Sequence, residues 1–145
     1  MAGTGEMLPR MIERVAELGF ADKFIFPGFV SREEVAKLNK IADVFVMPSV
    51  SEPFGIVPLE AMWQETPAII SKQSGVSEVL NNVLKVDFWD INDIASKILA
   101  LLYYRNLHNE IKQHGAVEVR TMTWDKPATQ CIDVYHELLR MKKGG

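Results

Sequence analysis

The sequence predicts an α/β fold, a doubly wound parallel sheet of the Rossmann type. Short apolar runs that suit buried strands alternate with amphipathic helical segments along the chain. The run Val44–Met47 is continuously apolar, which indicates a strand buried on both faces. Ligands of such sheets bind outside the carboxyl ends of the strands. We therefore expect a site in the loop that follows Met47.

Two helices and one strand are predicted before this buried strand. Apolar residues at helical spacing, with a proline near the first turn, predict a helix over residues 7–18. A short strand is expected at Phe24–Phe26. Ser31 and Glu34 can then form a capping box, in which each side chain accepts a hydrogen bond from the other residue's backbone N–H. The helix that this box begins is predicted to run to Ala42.

The alternation continues to the end of the chain. We expect a helix over Pro58–Gln64, strands at Ala68–Ile70 and Leu84–Val86, a helix that begins at Asp90, and two more helices. Apolar stripes at helical spacing predict the buried faces of two of these helices. They are Ile94, Ile98, Leu101 and Leu102 in the helix after Asp90, and Ala128, Ile132, Tyr135 and Leu139 in the last helix.

Composition excludes several classes of protein. The 145 residues are 48% hydrophobic and 24% charged, which is typical of one globular domain over residues 1–145. A net charge of -3 without a basic stripe argues against a nucleic-acid partner. No apolar run approaches the roughly 20 residues of a membrane span, and no secretion signal is expected. The single Cys131 and three histidines lack zinc-ligand spacing, so we expect no metal and a reducing cytoplasm.

Two carboxylates bracket the turn after the buried strand. Glu52 lies in the loop and Glu60 in the first turns of the next helix, so both could face a ligand at the helix N-terminus. The free backbone N–H groups of Gly55, Ile56 and Val57, with the helix dipole, would attract an anion there. A diphosphate flanked by carboxylates that accept from hydroxyl groups suits a nucleotide sugar. From the residues alone, acidic side chains that merely complement the helix dipole explain the pattern as well.

Residues 48–62 resemble the Glu-x7-Glu signature of retaining glycosyltransferases with two Rossmann domains, the group 1 type that includes glycogen, sucrose and many mannosyl transferases. The family form Pro-Ser-x-x-Glu-x-Phe-Gly-x-x-x-x-Glu-Ala is met at every specified position. Other segments resemble further pieces of the family pattern in the expected order: Gly3–Glu6, Phe26–Val30, Ala42–Ser49, Thr66–Ile70 and Gly75–Glu78.

The resemblance implies a role for each matching residue. Glu52 would be the catalytic residue, which binds hydroxyls of the donor sugar near its reacting face. Glu60 would accept from the ribose hydroxyls. The donor sugar and distal phosphate would be bound by Pro53, Phe54, Gly55, Ile56 and Val57, and the nucleotide also by Gly3, Gly5, Phe29 and Val30. The family needs no metal, because N–H groups and protein cations neutralise the leaving diphosphate.

The resemblance also implies what lies outside this sequence. The chain resembles the C-terminal half of the enzyme, without the N-terminal domain that carries the acceptor site and without the Arg and Lys that the family places upstream. In a sheet ordered 3-2-1-4-5-6, the first strands would be missing between residues 24–26 and 44–47. The exposed sheet edge would favour association with other chains. Glu65 replaces a glycine that usually ends the helix, which would strain a left-handed backbone.

We therefore expect the donor-binding domain of a cytoplasmic hexosyltransferase, which uses a nucleoside diphosphate sugar and a glycan or small-molecule acceptor. This chain alone is expected to be inactive. The alternatives are a non-catalytic nucleotide-binding fragment and a sugar-nucleotide epimerase of the same architecture. A second possible location for the full-length protein is the inner face of a membrane.

Overall fold

The computed structural model describes residues 1–143, which divide into two compact units, residues 1–42 and the residues from Asp43 onward. The first unit contains α1 (Leu8–Glu17), a short 3₁₀ turn (Ala21–Lys23) and α2 (Arg32–Ile41). The second contains β1 (Phe45–Met47), α3 (Val57–Trp63), β2 (Ala68–Ser71), a 3₁₀ turn (Gly75–Glu78), β3 (Leu84–Val86), α4 (Ile91–Tyr103), α5 (Arg105–Thr121) and α6 (Asp125–Lys143).

The helices of the first unit begin and end close to where the sequence predicts. The α1 helix has a proline in its first turn, and the chain leaves it through Gly19 at a φ of 74°. The capping box of α2 is present: the Glu34 N–H donates to Ser31 Oγ at 3.3 Å, and the Ser31 N–H donates to Glu34 Oε2 at 2.7 Å. These local signals fix helix ends because they satisfy N–H groups that have no partner inside the helix.

The predicted strand at Phe24–Phe26 is wrong, because these residues belong to no β-ladder. The segment of this protein that lies alongside is residues 1–3. The two segments form one isolated parallel bridge, between Ala2 and Gly28. The amino group of Met1 donates to the Ile25 carbonyl at 2.6 Å. Apolar composition favours an extended backbone, but a strand also needs a partner with continuous hydrogen bonding.

The second unit is built on a parallel sheet with strand order β1-β2-β3. Val46 pairs with Ile69, and Ile69 pairs with Leu84. All of β2 is buried, whereas β1 and most of β3 are half-buried. The expectation that β1 is buried on both faces is therefore wrong: β1 lies at one edge of this sheet, and β2 is central.

Helices cover both faces of the sheet, which confirms the doubly wound architecture. Because successive strand residues point to opposite faces, Ile70 and Ile69 belong to different hydrophobic clusters. One cluster contains Met62 of α3 and Val119 of α5. The other contains Leu101 of α4. Burial of these apolar side chains on two faces of β2 is the main stabilisation of this unit.

The prediction of a buried apolar face is largely confirmed for α4 and is wrong for α6. Ile94, Ile98 and Leu101 pack in the core as expected, but Leu102 is half exposed. In α6, Ile132, Tyr135 and Leu139 are each more than half exposed, so the prediction of a core face is wrong in this structure. Helical periodicity reports that an apolar face exists, but it does not say whether another element covers it.

Candidate functional site

The loop between β1 and α3 follows the carboxyl end of a strand, where the sequence predicts the site. Its middle is held by the 3₁₀ turn that follows β2. The Gly75 N–H donates to the Glu52 carbonyl at 2.9 Å, and the Val76 N–H donates to the Phe54 carbonyl at 2.8 Å. Two backbone hydrogen bonds therefore fix the loop on either side of Pro53.

Gly75 is required for this contact. A Cβ at position 75 would lie 2.0 Å from the Pro53 carbonyl oxygen and 2.9 Å from the carbonyl carbon. Both atoms belong to the backbone, so the clash cannot be relieved by rotation of a side chain. The sequence marks Gly75 only as part of a family pattern, and the structure supplies the physical reason for the glycine.

Gly55 positions the side chain of Glu52. Its φ is 83°, in the left-handed region that favours glycine. A Cβ there would lie 2.8 Å from Glu52 Cγ and 3.2 Å from Met47 Cε. The half-buried Glu52 side chain thus packs directly against the Gly55 backbone. Loop backbone and glycine together determine where this carboxylate can point.

The start of α3 has N–H groups that no backbone carbonyl of the described chain accepts from. Ile56 is the N-cap residue and supplies no side-chain cap. Within residues 1–143, no backbone carbonyl accepts a hydrogen bond from the Gly55 or Ile56 N–H, and the N–H of Val57, the first helical residue, has no acceptor inside the helix. Glu60 lies in the first turn and is half-buried. The loop therefore combines N–H groups that have no backbone acceptor in the described chain with two carboxylates, an arrangement suited to a ligand that carries both anionic and hydroxyl groups.

The other predicted site residues lie in the first unit. The Gly3 N–H donates to the Gly28 carbonyl at 2.8 Å, which places the glycine turn beside the loop that carries Phe29 and Val30. Phe29 is 80% exposed and Val30 is half-buried. Gly5 begins the turn into α1, where its carbonyl accepts from the Leu8 N–H at 3.1 Å. The structure brings these predicted nucleotide contacts together within that unit.

A group of polar side chains, not predicted from the sequence, lies at the carboxyl ends of β2 and β3. We name Lys72, Gln73 and Asp87 the strand-end cluster. Lys72 Nζ lies 2.7 Å from one oxygen of the Asp87 carboxylate, and Gln73 Nε2 donates to the other at 3.1 Å. The bond to Asp87 raises the pKa of Lys72, and the bond from Lys72 lowers the pKa of Asp87. The general rule for ligand sites in parallel sheets, applied to every strand, would have pointed here.

The backbone at Glu65 confirms the strain expected from the missing glycine. Its φ is 63°, in the left-handed region. The carboxylate lies 3.2 Å from Arg120 Nη2 and 3.6 Å from Lys112 Nζ, both on α5. A surface cleft of about 420 Å³ is lined by these three side chains and neighbouring residues of α5. None of the predicted site residues lines it.

Residues 1–143 contain no group of three or more His, Cys, Asp or Glu side chains placed to hold a metal ion. None of the helices within these residues is both long enough and apolar enough to cross a membrane.

Comparison with known proteins gives the family. Residues 1–117 match the model of the family described as glycosyl transferases group 1. An uncharacterized glycosyltransferase of Methanocaldococcus jannaschii is 33% identical over 146 aligned positions, which cover 97% of this chain and 37% of that protein.

Two solved structures share the fold. Sucrose-phosphate synthase from Thermosynechococcus elongatus superposes with a TM-score of 0.77 at 29% identity, over 92% of this chain and 34% of that one. The Anabaena protein HepE, in complex with UDP-glucose, gives a TM-score of 0.78 at 18% identity, over 94% of this chain and 40% of that one. The chain thus spans 34–40% of the length of these relatives. Because the family model matches most of the sequence, the chain belongs to the group 1 glycosyl transferases, and its sheet and helices are those of their two-Rossmann-domain architecture.

Proposed function

We propose that this chain is the donor-binding part of an enzyme that transfers a hexose from a nucleoside diphosphate sugar to a glycan or other sugar acceptor. The observation that carries the proposal is the loop after β1. Its hydrogen bonds to Gly75 and Val76 fix the backbone on both sides of Pro53. They hold Glu52 against Gly55, next to N–H groups that no backbone carbonyl of the described chain accepts from.

In this proposal Glu52 binds the donor hexose. A carboxylate can accept hydrogen bonds from two hydroxyl groups at once, and such charge-assisted bonds are about twice as strong as neutral ones. Packing of Glu52 against Gly55 keeps the carboxylate in one place before the donor arrives. The exposed Pro53 and Phe54 complete the surface that contacts the sugar. The anomeric configuration is retained in the transfer.

The diphosphate is bound by the N–H groups of Gly55, Ile56 and Val57. Negative charge grows on the leaving diphosphate as the glycosidic bond breaks. Backbone N–H groups already aimed at this position stabilise the charge without reorganisation. In this proposal they act together with protein cations, and the transfer needs no metal.

The proposed nucleoside contacts follow the family resemblance, residue by residue. Glu60 accepts hydrogen bonds from the ribose hydroxyls. Phe29 and Val30 meet the base through apolar and backbone contacts, and Gly3 and Gly5 leave room for the nucleotide beside the backbone. The UDP-glucose bound by HepE supports a nucleotide sugar as the donor of this family member too.

The remaining parts of the enzyme are proposed to lie in the rest of a longer protein, since the chain spans only 34–40% of the length of its relatives. These parts are a second domain with the acceptor site and an Arg and Lys that contact the diphosphate. We place the enzyme in the cytoplasm, where a free thiol such as that of the exposed Cys131 stays reduced.

Calorimetric titration of UDP, ADP and GDP into the chain tests this proposal. We expect saturable binding of one nucleotide, and Glu60→Ala should weaken it about 10- to 100-fold, because a hydrogen bond to a charged group contributes roughly 1.5–3 kcal/mol. Glu110→Ala, which removes an exposed carboxylate from α5, is the matched control and should bind as the wild type does.

Two results would contradict the assignment. One is equal nucleotide affinity in the Glu60→Ala and wild-type chains. The other is absence of binding by a chain that unfolds cooperatively and is monodisperse. Product analysis with the longer protein separates transfer from epimerisation, because only transfer yields a glycosylated acceptor.

A further inference from the structure

The three loops that follow β1, β2 and β3 lie at the carboxyl ends of these parallel strands, and hydrogen bonds join them in sequence order. The loop after β2 donates hydrogen bonds, through the Gly75 and Val76 N–H groups, to residues 48–56 after β1, which we call the donor loop for its proposed role. It contacts the loop after β3 through the strand-end cluster and through the Lys72 N–H, which donates to the Val86 carbonyl at 2.8 Å. Two strand spacings, about 10 Å, separate the first loop from the third, a distance that a short oligosaccharide covers.

An exposed tryptophan lies in the third loop. Trp89 is 62% exposed, three residues after Val86, the buried last residue of β3. Its ring meets that of Phe88 edge to face, with centroids 4.7 Å apart and planes at 85°. The turn that carries it is closed by the Asp90 N–H, which donates to the Asp87 carbonyl at 3.0 Å, and by Ile91, whose N–H donates to the Trp89 carbonyl at 3.1 Å. Packing and hydrogen bonding therefore hold an apolar surface open to solvent.

The strand-end cluster supplies polar groups at the carboxyl ends of β2 and β3, of which Asp87 is close to Trp89 in the sequence. Asp87 is two residues from Trp89, and its carboxylate has lone pairs beyond those used by Lys72 and Gln73. The Lys72 ammonium has three N–H donors, of which Asp87 takes one. The side chains of Lys72 and Asp87 remain 50% and 31% exposed. Donors and acceptors are thus preorganised and open to a ligand.

The chemistry of this surface matches a carbohydrate. A sugar ring has an apolar C–H face, which suits an aromatic ring, and a rim of hydroxyl groups that both donate and accept. The Lys72 and Asp87 charges cancel, so the cluster offers no net attraction to a phosphate or a nucleic acid. Trp89 and Ile91 are the exposed large apolar side chains of the loop after β3 and of the first residue of α4, and two such residues bury far less than the roughly 800 Å² per partner of a stable protein interface.

We propose that Trp89 and the strand-end cluster form a carbohydrate subsite, which holds the acceptor glycan at a distance from its reacting end. The identity of the bound glycan as the acceptor rests on the proposed function. Carbohydrate binding itself does not, because it depends only on residues of the loops after β2 and β3.

Native affinity electrophoresis tests the subsite, with gels that contain glycogen, dextran, yeast mannan or a galactan. The wild-type chain should be retarded by at least one of these glycans. Trp89→Ala should lower the affinity about tenfold, as expected for loss of a central aromatic contact. Trp89→Phe, which keeps an aromatic face, should retain most of the retardation. Gln73→Ala should weaken it several-fold.

Trp124→Ala is the matched control, because Trp124 is also an exposed tryptophan but lies at the start of α6. It should migrate as the wild type does. Equal retardation of Trp89→Ala and wild type would overturn the proposal, as would a folded wild-type chain that none of the glycans retards. Thermal unfolding of each variant shows whether a loss of glycan retardation comes from misfolding. If Trp89→Ala does not fold, the retardation of Trp89→Phe and Gln73→Ala tests the proposal instead.

UDP titration of the same preparations separates this proposal from the donor-binding one. Nucleotide binding without glycan binding would refute the subsite and leave the proposed function standing. Glycan binding that depends on Trp89, without nucleotide binding, would support the subsite and refute the donor role.

Discussion

Replacement of Gly75 with alanine should disrupt the donor loop, although Gly75 lies outside that loop, in the 3₁₀ turn after β2. The added Cβ would lie 2.0 Å from the Pro53 carbonyl oxygen, and contacts under 3.0 Å essentially never occur, so the loop and the 3₁₀ turn must separate by about 1 Å. The two hydrogen bonds between them, at 2.9 and 2.8 Å, would then exceed hydrogen-bonding distance.

The cost follows from these two bonds. Each contributes roughly 0.5–1.5 kcal/mol net, so we expect the free energy of unfolding to fall by about 1–3 kcal/mol. Thermal unfolding should show a Tm lower by about 2–4 °C for each kcal/mol lost. Since the Glu52 carbonyl is one of the acceptors, nucleotide-sugar affinity measured by calorimetry should fall about tenfold or more.

Gly115→Ala is the matched control. A Cβ at that buried glycine of α5 would meet Met62 Cε at 3.1 Å and the Asn82 carbonyl oxygen at 3.2 Å, so shifts of a few tenths of an ångström suffice. Its nucleotide-sugar affinity should equal that of the wild type. If Gly75→Ala binds donor and unfolds as the wild type does, the inference that Gly75 holds the loop is wrong.

Two further variants test strain and charge in the second unit. Glu65→Gly should be more stable than Glu65→Ala by about 1 kcal/mol in chemical unfolding, because both lose the ion pairs to α5 but only glycine relieves the left-handed backbone; equal stability would refute the strain. Glu118 is partly desolvated, which raises its pKa, but hydrogen bonds from the backbone and side chains of residues 81–82 outweigh this and hold the pKa below its ordinary value of 4.5. Because the folded pKa is the lower one, the contribution of Glu118 is present above pH 4.5 and is lost as the pH falls through the folded pKa. Glu118→Gln should therefore lower the free energy of unfolding by about 1–2 kcal/mol at pH 7, and the difference from wild type should shrink in acid; a difference independent of pH would contradict this account.

Local signals in the sequence predicted the elements whose ends depend on neighbouring residues. The capping box of α2 and the N-cap at Asp90 are both present, because each is a hydrogen bond across three residues. The failures depend on distant partners. Phe24–Phe26 needs an adjacent strand to form a ladder, and the apolar stripe of α6 needs an element to cover it. Neither requirement is visible in the pattern of the segment itself.

The candidate site divides in the same way. The loop after β1 could be predicted as a candidate site from the sequence, since its residue types and spacing are local. It missed the strand-end cluster, because Lys72 and Asp87 are 15 residues apart and meet only when β2 and β3 pair. Their contact follows from strand register, which places Ser71 opposite Val86. Register is set by the hydrophobic pattern of the whole sheet, so no single motif could have shown it.

The role of Gly75 explains why separate motifs in one chain carry more information than any one of them. The segment Glu52–Glu60 contains the residues proposed to touch the donor, but the shape of its first part depends on backbone groups of residues 75 and 76. A chain that has Glu52 and Glu60 but a residue other than glycine at position 75 would contain the Glu-x7-Glu signature. Its loop after β1 could not keep the backbone shape seen here, because the added Cβ would clash with the Pro53 carbonyl. Glycine at 75 and glycine at 55 meet two different steric requirements, one against the Pro53 carbonyl and one against the Glu52 side chain. The match of both to the family pattern is therefore evidence about the geometry of the donor loop as well as about ancestry.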